Sequence, residues 1–286
     1  SYCLPLRLAV PAAGCLVRLF LLQHDCGQGA FVRQRLTNNW VGRVIGTLTF
    51  TPYDYWRRSH NIHQATSGNL QHRGLGDIQT LTVNEYLALS GWGRFCYRLY
   101  RNPLFLFGIA PAYIFVLQYR LPVGLMLEGW LPWLSTMATN LSIGAVILTM
   151  IWLIGTGPFL LVQTPILLLA TSIGVWLFYV QHQFEDTYWA EEQDWSLPDA
   201  ALQGSSHYAL PGVLRWFTAN IGVHHVHHLS SRIPFYRLPQ VLRDYPELED
   251  TGRLTLLESL KCVRLVLWDE SCRRLISFNE LRRQAA

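Results

Sequence analysis

The sequence predicts an all-α integral membrane protein whose helices present a histidine-rich metal site. Three observations lead there. Half of the 286 residues are hydrophobic and only 15% are charged, against roughly 25% charged in an average soluble domain. The apolar residues gather into runs near the length of a membrane span. Of ten histidines, eight sit in four short polar islands beside those runs: HDCGQ (24–28), HNIHQ (60–64), QHQFED (181–186) and HHVHH (224–228). The net charge of +4 is too small to imply nucleic acid. The 11 Trp, 13 Tyr and 13 Phe read as interfacial anchors beside apolar runs.

Taken in order, residues 4–23 make about one span, weakened by Arg7, Pro11 and Arg18. Residues 24–102 are polar and Arg-rich and carry two histidine islands. Within them, 40–50 is apolar but too short to cross and is expected in the interface. Residues 103–119 are apolar. Residues 141–181 are almost uncharged, interrupted by Gly155-Thr156-Gly157-Pro158. Residues 182–286 are polar again and hold the last two islands. Six cysteines form no C-x-x-C pair, so reduced thiols are expected, with Cys26 a small buried thiol. No charged n-region with a cleavage site marks a signal peptide. The chain is expected to be one domain over 1–286, lacking an upstream transmembrane helix.

Charge sets the orientation. Segments 24–102 and 182–286 hold most of the Arg and the only lysine, Lys261, while 121–140 holds neither. The positive-inside rule then puts all four islands on the cytoplasmic side, as one metal site requires. That demands an even number of crossings between islands two and three, where three apolar stretches lie. A crossing needs ~20 residues. The shortest stretch, 141–154, is therefore expected to be re-entrant or interfacial. The opposite choice is a 141–154/158–181 hairpin with 103–119 lying flat.

The spacings suit metal ligation. Residues three or four apart share a helix face, so His60 and His63 can meet one metal, as can His224, His227 and His228. His182 follows the last long apolar run. Asp25, Glu185 and Asp186 are the adjacent acceptors for the second imidazole nitrogen, with Asp54 and Asp77 further off. Lone His72 and His207 read as surface or hydrogen-bonding residues. Trp189 and Trp195 read as interfacial anchors, and the acidic run 185–192 also fits a solvated face. Four histidines in five residues have little packing use. All-imidazole ligation suits iron, zinc or copper rather than calcium or magnesium. Membrane context favours oxidative attack on lipid.

HDCGQGAF, TPYDYWRRSHNIHQATSGNL, RGLGDIQTLTVNEY, FYVQHQFEDTYW and NIGVHHVHHLSSRIPFYRLP together resemble the integral-membrane fatty acid desaturases of the non-haem di-iron type, bacterial acyl-lipid members above all. The resemblance spans nearly the whole chain. It implies a helical membrane bundle with a cytoplasmic helical cap holding two irons, here in a bacterial inner membrane. It implies O2-dependent removal of two hydrogens from a membrane-associated fatty acyl chain, with electrons from ferredoxin or a cytochrome b5-type donor. By position, the ligands are His24, His60, His63, His224, His227 and His228, with His182 as the additional ligand outside the boxes. His225 is not at a pattern position.

Two positions depart from that pattern. Gln28 ends the first box and Gln64 the second, where the family has His. A Gln amide oxygen is a weaker ligand than imidazole, so both are weakened ligand positions. Two alternatives follow: a hydroxylase, ketolase or acetylenase on the same scaffold, or a non-catalytic membrane protein that binds lipid or a partner. Arg273, Arg274, Arg282 and Arg283 form a basic patch suited to an acidic electron donor, to anionic lipid, or to solvent.

Overall fold

The structure, a computed structural model, describes residues 3–74 and 76–284. It is helical throughout its long elements and falls into two compact units. The first takes the described residues of Ser1–His60, Phe107–Val175 and Trp216–Ala219; the second takes the rest.

In the first unit the Cys3–Gln28 helix packs on the Arg35–Leu48 helix, which packs in turn on Trp130–Ile154. Gly42 and Gly46 let the segment that follows the Arg35–Leu48 helix lie close against it: a Cβ at Gly42 would run into the Tyr53 ring, and one at Gly46 into the Thr51 carbonyl. The opposite face of Arg35–Leu48 exposes Leu36, Trp40, Val44 and Leu48, one per turn. At 14 residues it is too short to cross a bilayer. The first turn of the Tyr53–Thr66 helix is tied down three ways. Tyr53 donates to the Cys26 carbonyl at 2.9 Å, and Asp54 accepts from Arg43 at 2.9 Å and pairs with Arg57 at 3.3 Å. Asp54 there also complements the helix dipole.

Three helices are long and apolar enough to cross a membrane: Leu4–Gln28, Trp130–Ile154 and Thr156–His182. The second corrects the sequence reading. The 141–154 stretch is the C-terminal part of a 25-residue helix that starts at Trp130. The polar run 135–142 hides that start from hydropathy, yet its hydroxyls are satisfied within the helix. Thr136, Thr139 and Ser142 donate to the carbonyls four residues back, at 2.9, 2.9 and 3.0 Å. Asn140 is held by Arg120, accepting from Nη1 at 2.8 Å and donating to its carbonyl at 2.9 Å. Gly155, at φ +84°, breaks the chain between two span-length helices. The stretch expected to cross at 103–119 is instead interrupted, with π-turns at Phe105–Ile109 and Tyr113–Leu117 and Pro111 between them. It passes as a span only as a bent pair with Gly91–Tyr100, the pattern of a broken span or re-entrant loop.

The second unit adds short strands that composition did not announce. Leu81–Thr82 runs parallel to Leu267–Asp269, which pairs antiparallel with Arg274–Ile276; His207–Ala209 runs parallel to Arg253–Thr255. Two capping boxes, Thr82 with Glu85 and Thr255 with Glu258, start the helices that follow strands. The core is built from Tyr86, Tyr97, Leu267 and Ile276 and, beside them, Leu70, Trp189, Trp268 and Leu275. Trp189 is thus a core residue, and Trp195 donates to the Ser67 carbonyl at 3.0 Å; neither is an exposed anchor. Cys15, Cys26, Cys96, Cys262 and Cys272 are all free, with Cys26 buried.

Candidate metal centre

In the first unit His24 lies one turn from the end of its helix and His60 on the Tyr53–Thr66 helix. Their Nε2 atoms approach to 3.0 Å. Trp56 stacks on the His60 ring, centroids 4.8 Å apart and planes 12° from parallel. Asp25 reaches the His24 Nδ1 only at 3.5 Å, the outer limit of a hydrogen bond.

In the second unit five of the expected histidines converge. The ligand atoms of His63, His182 and His228 all lie within 4.8 Å of one another, and all three side chains are buried. The Nε2 of His224 is 3.1 Å from the Nε2 of His182 and 3.1 Å from that of His228. The short His224–Leu229 helix puts His224, His227 and His228 on one side while Val226 enters the core. His225 turns the other way and donates through Nε2 to the Leu248 carbonyl at 2.9 Å. Its absence from the expected ligand set follows from that rotation.

Outward hydrogen bonds define the tautomers. His63 donates from Nδ1 to Asp77, and His182 from Nδ1 to the Gly204 carbonyl at 3.3 Å. With Nδ1 engaged outward, each ring turns its Nε2 toward the cluster, leaving that atom to face a metal. Burial first, and then the neighbouring rings of His228, His182, His227 and His63, pushes His224 well below the ordinary histidine range. Burial and the nearby His207 push His225 down to about 4. Burial acts to raise the Asp77 carboxyl, but His63, His182 and the Gly74 amide outweigh it and hold it low. Buried, inward-facing imidazoles backed by a carboxylate fit a divalent transition metal, iron included.

The other expected site residues fall out differently. Glu185 and Asp186 are exposed and, among the described residues, back no histidine. Glu185 pairs with Arg274 at 2.7 Å, because the chain leaves its helix at His182 and turns outward. Gln64 contacts the Nε2 of His227 through its amide nitrogen at 2.7 Å. The Gln28 amide nitrogen is buried with no hydrogen-bond partner among the described residues. His207 is buried and donates to the Glu249 carbonyl, while exposed His72 pairs with Glu192 at 3.4 Å. Asp77 serves in place of the adjacent acids. It is one of the two more distant acids that the sequence offered, and it lies in RGLGDIQT, where Gly74 and Gly76 take positive φ.

The family model described as fatty acid desaturase matches residues 3–257. The chain belongs to the fatty acid desaturase family. A fatty acid desaturase of Bacillus subtilis (strain 168) is 45% identical over 99% of this chain and 80% of its own length. An sn-1 acyl-lipid omega-3 desaturase (ferredoxin) of Synechocystis sp. is 24% identical over 77% of this chain and 61% of its own. An sn-1 oleoyl-lipid 12-desaturase of the same organism is 25% identical over 83% and 66%. Desaturases are oxidoreductases acting on fatty acyl chains, and the apolar helices and histidine cluster described above are those of a membrane member of the family. The resemblance carried by the histidine motifs is thereby confirmed, and neither alternative chemistry is favoured by these relatives.

Proposed function

We propose that this desaturase holds two irons through His24, His60, His63, His182, His224, His227 and His228 and inserts a double bond into an acyl chain of a membrane lipid. The observation that carries it is the buried trio His63, His182 and His228, two of whose rings are oriented from behind by Asp77 and Gly204. Bound iron would supply dioxygen activation: a –CH2–CH2– pair, O2, two electrons and two protons become –CH=CH– and two waters. The chain's own contribution is to keep the ligand nitrogens deprotonated, dry and convergent. The acyl-lipid and ferredoxin in the names of the cyanobacterial relatives support a lipid-bound substrate and a ferredoxin donor; a cytochrome b5-type donor is the competing choice. The Arg distribution supports histidine segments facing the cytoplasm.

Gln64 and Gln28 define the test. The full chain, purified in detergent after expression with added iron, is expected to hold about two irons per polypeptide (two sites at the family's count), and lipid-bound acyl products to be two hydrogens lighter. Oxygen gain instead would make it a hydroxylase. Iron near zero, restored by Gln28→His with Gln64→His, would make this chain a desaturase fold without its cofactor.

A further inference from the structure

Arg101 ends the Gly91–Tyr100 helix and is 3% exposed, yet no carboxylate lies within ion-pair distance of it among the described residues. Arginine does not shed its proton, and burying its charge is costly unless every donor is met. Neutral oxygens meet its two terminal nitrogens, while the buried Nε has no hydrogen-bond partner among the described residues. Nη2 reaches the Leu265 carbonyl at 2.8 Å, Gln183 Oε1 at 3.0 Å and the Tyr179 hydroxyl at 3.2 Å. Nη1 sits 3.4 Å from both the Gln79 carbonyl and Thr80 Oγ1. Tyr179, accepting from Arg101, donates onward to the carbonyls of Cys262 or Leu265, at 2.9 and 2.8 Å. Thr80 adds a second bond to Gln183 Oε1 at 3.1 Å.

Tyr179 and Gln183 are four residues apart, so they share one face at the end of the Thr156–His182 helix, with His182 between them. A planar fork that grips two side chains one turn apart fixes the rotation of that turn. Small rotations there would swing the His182 Nε2 away from its 3.1 Å approach to His224. A buried apolar residue could fill the space without the desolvation cost, so packing alone does not call for a guanidinium.

We propose that Arg101 is a positioning residue: through Tyr179 and Gln183 it locks the last turn of the helix that delivers His182 to the metal centre. Its purpose rests on the metal-centre reading above, but its geometry can be tested without metal. Metal-free full-length protein would be treated with diethyl pyrocarbonate and each histidine followed by mass spectrometry. Wild type is expected to protect His182. Gln183→Leu, which removes one arm of the grip and leaves the Arg101–Leu265 bond, should raise labelling of His182 several-fold while buried His225 stays protected and exposed His72 is unchanged. Gln183→Glu, which offers Arg101 a carboxylate, should restore protection; Arg101→Met should exceed Gln183→Leu. Unchanged His182 labelling in Gln183→Leu overturns the proposal. A uniform rise at His182, His207 and His225 also overturns it, in favour of a general role in the fold. Iron titration separates the two readings: wild type with no iron but selective His182 exposure in the variants sinks the metal reading and leaves the clamp. With iron bound, Gln183→Leu should weaken affinity by about 10–100-fold, the range for groups that orient a ligand.

Discussion

The His24–His60 pair and the His63-centred cluster use the same side chain but hold it by different means. His63 and His182 are each fixed from behind, by Asp77 and the Gly204 carbonyl. Asp25 approaches the Nδ1 of its own neighbour His24 at a marginal 3.5 Å, and His60 stacks on the Trp56 ring. The first arrangement sets tautomer and direction through hydrogen bonds; the second sets ring position through packing. A hydrogen-bonded ligand is therefore expected to be the more sensitive to loss of its partner.

The largest effect should come from the cluster itself. His228→Ala removes a ligand atom from the convergent trio and should lower iron affinity by more than about 100-fold, beyond the range seen for orienting partners. Iron titration by mass spectrometry checks it; affinity within a few-fold of wild type would remove His228 from the site.

Next is the contrast between the two acids. Asp77→Ala should weaken iron binding by about 10–100-fold, and Asp25→Ala far less, because 3.5 Å is the edge of a hydrogen bond. Equal losses would erase the distinction between the two regions. The exposed Glu185→Ala should leave iron binding alone, since its partner is Arg274.

Trp56→Leu takes away the stacked face under His60. Aromatic pairs contribute about 0.5–1.5 kcal/mol beyond burial, so affinity should fall by a few-fold to about tenfold. A loss matching Asp77→Ala would mean that packing orients a ligand as firmly as a carboxylate does.

The smallest effect concerns stability of the second unit. Arg73 grips both oxygens of Glu85 and, with the Thr82 amide, lowers its pKa below the ordinary 4.5. A depressed carboxyl stabilises the fold above its unfolded pKa and loses that contribution as pH falls through the folded value. Melting in detergent should thus decline below pH 4.5 in wild type and less so in Arg73→Met. The carboxylate is 42% exposed, so the pair is worth at most about 1 kcal/mol.

Much of this molecule was legible in its residues. Ligand spacings of three and four follow from helical periodicity, so His60 with His63 and His224 with His227 and His228 could be read directly. Span existence follows from apolar run length. Where the reading failed, local polarity misled it. The 141–154 stretch looked too short to cross, because Thr136 and Thr139 lie before it and hydropathy does not register hydroxyls bonded to their own helix. Acids adjacent in sequence looked like natural partners for the histidines, yet Glu185 faces Arg274, while Asp77, fourteen residues from His63, takes the role.

By itself, then, the sequence determined the family, the membrane-spanning character and the candidate ligands, because each depends on residue type and short-range spacing. Only the tertiary structure decided which imidazole nitrogen faces inward, which acid stands behind it, and that the Nη2 of a buried guanidinium is met by neutral oxygens at Tyr179, Gln183 and Leu265. Those are questions of direction and of partners brought together from distant parts of the chain, and hydrogen bonds between them exist only once it has folded.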